Sequence, residues 1–128
     1  MPVDPRSLSY EPAGDADIEL LSEMNLGLLE DEGSDLAGAP LKAIVERMTG
    51  FLAGEYEAVI IRDGQAVVGY ALYREHDGLL HVRQYYIMPA YRGQGFGRAC
   101  FAQLRRAWFP PELEVGLEVL VTNPRGAE

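Results

Sequence analysis

The chain has 128 residues, 48% of them hydrophobic and 24% charged, which suits one domain with a core and is short for two. Its formal net charge of -9 weighs against non-specific nucleic-acid binding and against an anionic membrane surface. No apolar run approaches the roughly 20 residues that span a bilayer, and the N-terminal MPVDPRSLSY has no signal-like apolar stretch, so a cytoplasmic protein is expected.

In chain order, LSYEPA is a short strand candidate. Asp15 is a candidate N-cap for a helix from about Ala16 to Leu29, with Ile18, Leu21, Met24 and Leu28 on one face. The segment DEGSDLAGAP breaks it. Leu41, Ile44, Val45, Met48 and Leu52 repeat at helical spacing, and Gly50 to Gly54 close that second helix. YEAVIIRDGQAVVGYALYRE reads as two strands joined at Asp-Gly, a strong hairpin signal. His76-Asp77-Gly78 turns the chain again into the strand LLHVRQYYIM, which Pro89 ends. A further helix is expected from Gly95 to about Trp108, with Cys100, Leu104, Ala107 and Trp108 inward, then a stop at FPPE and a last strand VGLEVLVT. The single Cys100 has no internal disulfide partner and reads as a core thiol. With no repeat, tract or linker, residues 1–128 form one α+β domain whose sheet is largely antiparallel. The strand–helix–strand passage from Leu79 to Thr122 adds one parallel pair.

YRGQGFGR, residues 91–98, places glycines at 93, 95 and 97, where a strand gives way to a helix. The free N–H groups of a helix's first turn point into such a loop, and its dipole favours negative charge there. Glycine leaves those donors unobstructed. The segment is not a Walker loop, since Arg98 and Ala99 follow Gly97, and a dinucleotide fingerprint fails because its last glycine would fall on Arg98. A tight turn with no ligand fits the spacing as well.

The run HVRQYYIMPAYRGQGFGRACFAQL resembles the Gcn5-related N-acetyltransferase (GNAT) superfamily, whose acetyl-CoA motif Q/R-x-x-G-x-G/A is matched by Arg92, Gly95 and Gly97. The order of elements is similar over nearly the whole chain. The resemblance implies acetyl-CoA as cosubstrate, no metal, and transfer of the acetyl group to the amine of a small molecule or peptide. Its pyrophosphate would lie on backbone N–H groups from Gly93 through Gln94, Gly95 and Gly97 to Arg98. Its pantetheine amides would pair with the strand edge at Tyr85, Ile87 and Met88, held open by a β-bulge. Asn123 falls where the family opens its next helix. Arg92 fits either added charge near the phosphates or a solvated surface. Of Tyr85 and Tyr86, one is expected in the core and the other at a pocket.

Counted back from Arg92 without a gap, His81 falls where several members of the superfamily carry a general base, a role suited to imidazole; a half-buried strand histidine is the other reading. His76 is expected exposed in its turn. Glu30, Asp31 and Glu32 fit either attraction of a cationic amine or a solvated helix end. The family's usual thiolate acid, a Tyr in the helix after the last strand, has no counterpart before Glu128, and two closing strands are missing. A C-terminally truncated GNAT sheet is therefore expected, with LEVLVT as an apolar edge that a second copy covers in a homodimer. A module that binds CoA or a protein partner without turnover is the alternative to an enzyme.

Overall fold

The computed structural model describes residues 4–93 and 95–117. Its five-stranded sheet runs in chain order, β1 (Ser9–Pro12), β2 (Glu57–Asp63), β3 (Ala66–His76), β4 (Leu79–Ile87) and β5 (Glu114–Leu117). The first three pairings are antiparallel and β4–β5 is parallel, as the helix between those two strands requires. The second hairpin turns at the expected Asp77-Gly78, whereas in the first Asp63 still pairs with Ala66 and the two-residue loop is Gly64-Gln65. Gly64 has a φ of 62° after Asp63, while Asp77 and Gly78 have φ values of 55° and 76°, the paired positive angles of a type I′ turn.

Two helices, α1 (Ile18–Asp31) and α2 (Leu41–Ala53), cover one face of the sheet, and α3 (Phe96–Ala107) covers the other. Leu21, Met24 and Leu28 of α1 and Met48 of α2 pack on Ile60, Tyr70, Leu72 and Tyr86. Cys100 and Leu104 of α3 pack on Val59, Ile61, Ala71, Val82 and Ile87. Each fully buried large side chain contributes about 1.5–3 kcal/mol.

Three local expectations shift. A 3-10 turn at Asp15–Asp17 precedes α1, and it is Asp17 rather than Asp15 whose carboxylate accepts a hydrogen bond from the loop, from the Gly14 N–H at 2.9 Å. Ala107 is exposed, because the inward stripe of α3 runs through Gly97, Cys100 and Leu104 to Trp108. The Trp108 indole N–H donates to the Tyr73 hydroxyl at 2.7 Å. Of the last expected strand, residues 118–122 lie outside the described residues, as do Gln94 and Asn123; the expected edge for a second copy falls there too.

The feature that positions the site is one extra residue. Leu72 of β3 pairs with Gln84, but Tyr73 pairs with Val82, leaving Arg83 as a bulge in β4. Before it, Leu80 and Val82 face α3; after it, Tyr85 and Ile87 do, while Gln84 and Tyr86 turn to α1 and α2. A bulge increases local twist and bends its strand. Among the described residues the pairing of β5 with β4 ends at Val82–Leu117, one residue before the bulge.

Candidate functional site

Beyond the bulge, no strand among the described residues pairs with the outer edge of β4. The Met88 N–H donates to the Val68 carbonyl at 2.7 Å, and alternation along an antiparallel ladder then turns the backbone groups of Tyr85 and Ile87 to the other side. Of the three edge residues expected from sequence, Tyr85 and Ile87 thus present their backbone outward. The N–H of Met88 is engaged with β3.

That edge leads through a 3-10 turn at Pro89–Tyr91 into the glycine loop. Gly93 and Gly95 have φ values of 103° and 76°, and Gly95 is the left-handed N-cap of α3. A Cβ at Gly95 would meet nothing within 4 Å. The glycine therefore answers to backbone conformation and to whatever approaches from outside, not to crowding within the chain. The Arg98 side chain is exposed, on the first turn of α3.

Arg92 fits neither role expected of it. Its Nε donates to the Ile87 carbonyl at 2.8 Å, and a terminal nitrogen donates to Asp31 Oδ2 at 2.6 Å. Its guanidinium lies 5.1 Å from the Tyr86 ring centre, so the side chain ties the glycine loop to the end of α1. Gly27 on α1 allows this close approach, since a Cβ there would collide with the Tyr86 hydroxyl.

Both tyrosines pack inside. Tyr86 lies against α1, 6.4 Å from the Tyr70 ring. Tyr85 sits under α3, edge-on to Phe101 at 5.1 Å, with its hydroxyl donating to the Gly97 carbonyl at 2.5 Å. Burial holds the Tyr85 phenol well above its ordinary pKa, so it remains a neutral donor that braces the first turn of α3. The neighbouring Cys100 thiol is pushed up to about 11, chiefly by burial. Cys100 is expected to resist alkylation by iodoacetamide at pH 8 in the folded protein and to react fully once denatured, as thiol counting by mass would record.

At the bulge, on the α1–α2 side, lies a cavity of about 290 Å³. Its polar wall is Asn25 and Glu32 of α1's face and C-cap, Arg47 of α2, and Arg83 and Gln84 of β4; Leu28 and Leu29 are its apolar wall. The Phe51 ring holds both guanidiniums, with Arg47 and Arg83 each 5.0 Å from its centre. Asn25, 1% exposed, accepts from Arg47 through Oδ1 at 3.2 Å. Its Nδ2 lies close enough to act on the Tyr70 hydroxyl, yet makes no hydrogen bond of acceptable geometry. The Tyr70 hydroxyl itself donates to Gln84 Oε1 at 2.7 Å.

Sequence reasoning missed Asn25, Arg47, Arg83 and Gln84. The available signal was Asn25, a polar residue within the inward stripe of α1. Of the three acidic candidates, Glu32 reaches the cavity wall, Asp31 holds Arg92, and Glu30 is exposed. His81 is half-buried between Arg74 of β3 and Gly116 of β5, with its ring 6.1 Å from that of His76. It lies on the α1–α2 side of β4, two positions before the bulge, and does not line the cavity. His76 is exposed and sits 3.2 Å from the Asp77 carboxylate. Among the described residues no cluster of His, Cys, Asp and Glu has the form of a metal site, and no helix is long and apolar enough to cross a membrane.

A mixed sheet whose fourth strand bulges and then leads into a glycine-capped helix has the architecture of an acetyltransferase domain. The Acetyltransferase (GNAT) family model matches residues 22–126, and the chain belongs to that family. No curated protein matches the sequence. Among solved structures, the fold is similar to that of a possible acetyltransferase from Clostridium difficile 630, with 17% identity, a TM-score of 0.68, and 91% of this chain covering 82% of that one. An acetyltransferase from Clostridium acetobutylicum, described as predicted and solved with acetyl-CoA, gives 18% identity and a TM-score of 0.67 over 91% of this chain and 83% of that one. An aminoglycoside N-acetyltransferase in complex with CoA gives 13% identity and a TM-score of 0.65 over 91% and 80%.

Proposed function

We propose that the chain is an acetyl-CoA-dependent N-acetyltransferase for a small amine, held in the cavity between α1, α2 and the bulge of β4. The observation that carries this reading is the run of β4, bulged at Arg83, into a left-handed glycine at a helix N-terminus, in a chain of this family. Acetyl-CoA would supply an acetyl group activated as a thioester. The chain's residues suit it: the backbone of Tyr85 and the N–H of Ile87 lie on the outer side of β4, and the first turn of α3, approached past Gly93 and Gly95, would offer N–H donors to the pyrophosphate. Two solved relatives of the fold carry acetyl-CoA or CoA, which supports the same ligand here.

Transfer forms an N–C bond and breaks a C–S bond. The ammonium gives up two protons and the thiolate takes one, so one proton leaves for solvent. The residues must therefore accept a proton near the amine. His81, on the cavity's side of β4, is the proposed acceptor, directly or through one water. Tyr85, Phe101 and Arg92 fix the strand and loop that orient the reaction.

The test is release of CoA thiol from acetyl-CoA over a panel of amino acids, polyamines, aminoglycosides and peptide N-termini. Amine-dependent release supports the reading. Tight CoA binding with no release for any amine would reduce the chain to a CoA-binding module.

A further inference from the structure

The cavity at the bulge has a charge pattern of its own. In a chain of net charge -9, its wall holds two guanidiniums, Arg47 and Arg83, against one carboxylate, Glu32. Among the described residues, a second cavity of about 280 Å³ beside Glu57 and Glu75 holds no cation. Among the described residues Arg62, Arg74 and Arg92 are each ion-paired to a carboxylate, whereas Arg47 and Arg83 form no salt bridge. Instead they converge on one aromatic ring, Phe51, which fixes both without neutralising either. Burial, and then the neighbouring Arg83 charge, lower the Arg47 pKa from its ordinary value, with Tyr70 and Glu32 opposing them.

Beside them the buried Asn25 holds the Arg47 side chain at the wall, accepting from it on Oδ1 and turning its Nδ2 toward the Tyr70 hydroxyl. Two guanidiniums on one wall match a carboxylate, which accepts several charge-assisted hydrogen bonds at once. Glu32, on the same cavity wall, suits an ammonium. At about 290 Å³ the space lies at the lower end of the roughly 300–1,000 Å³ of small-molecule sites, and Leu28 and Leu29 give it an apolar side.

We infer that the acceptor is an amine bearing its own carboxylate, an amino acid or a close analogue, with that carboxylate on Arg47 and Arg83. A polycationic amine would meet the same two guanidiniums as repulsion. The inference rests on the reading of this cavity as the acceptor site.

The experiment has a turnover arm and a binding arm. In the first, L-amino acids are compared with their amides and with spermidine by release of CoA thiol; removal of the carboxylate should lower kcat/KM about a hundredfold. Arg83→Gln should raise KM for the amino acid and leave KM for acetyl-CoA unchanged. In the second, N-acetylleucine and N-acetylphenylalanine, compared with their amides, are titrated against the intact chain by calorimetry with CoA present. Binding of the acids but not the amides, weakened by Arg83→Gln or Arg47→Gln, upholds the acceptor class even if no amine is turned over, in which case only the proposed activity falls. Equal binding of acids and amides, no binding of either, or preferred turnover of amides or spermidine overturns it.

Discussion

Gly95→Val is expected to lose measurable CoA binding and to melt several degrees below the parent, whereas Gly95→Asn should lose affinity with little loss of stability. Gly95 sits at a φ of 76°, where an L side chain costs roughly 1–2 kcal/mol and a β-branched one more. A penalty of that size moves Tm by several degrees in a domain of this length. Asparagine tolerates the left-handed region, and a Cβ there meets nothing of the chain within 4 Å. In Gly95→Asn the added atoms therefore stand only in the path of a ligand to the first turn of α3. Calorimetry should give at least about a tenfold weaker Kd for CoA, some 1.4 kcal/mol, with a nearly unchanged melting curve. If Gly95→Asn binds CoA like the parent, the pyrophosphate does not lie at this helix end.

The elements that local pattern controls were legible. Helix α2 follows from its apolar repeat and the second hairpin from Asp77-Gly78 as its two-residue turn; the first hairpin follows from Gly64, with its loop one residue later than Asp-Gly suggested. The passage from β4 through three glycines to α3 was legible because positive φ at Gly93 and Gly95 is a local demand that glycine answers. Helix α1 was found with its start misjudged, since Asp15 and Asp17 are both able to cap and only the turn before the helix decides between them.

The candidate site was legible along one strand and one loop but not across elements. Arg83 is a single inserted residue, and nothing in LLHVRQYYI marks which residue the sheet leaves unpaired. That residue reverses which side of β4 faces which helix. Alternation counted straight through the strand therefore misplaces every side chain on one side of it. The cavity needs Asn25 from α1, Arg47 from α2 and Arg83 from β4, residues 22 to 58 positions apart in sequence, brought together only by packing of the two helices on the sheet. Arg92 shows the same limit. Its motif position suggested phosphate, while its actual partners, Asp31 and the Ile87 carbonyl, depend on where α1 ends relative to the end of β4.

The catalytic base separates two residues that the fold keeps apart. His81→Ala is expected to lower kcat by about a hundredfold or more with little change in KM for acetyl-CoA, the signature of a lost general base. Glu32→Gln is the necessary comparison, since Glu32 is the carboxylate in the cavity wall and His81 is not in that wall. If Glu32 only attracts the ammonium, its replacement raises KM for the amine and leaves kcat in place. Should Glu32→Gln lower kcat by that factor while His81→Ala keeps near-normal turnover, the proton goes to the carboxylate and His81 is a half-buried strand residue. The bulge makes this division physically reasonable either way. It turns the strand between His81 and Gln84, so a histidine before it reaches an amine in the cavity only along the outer edge, or through a water standing there.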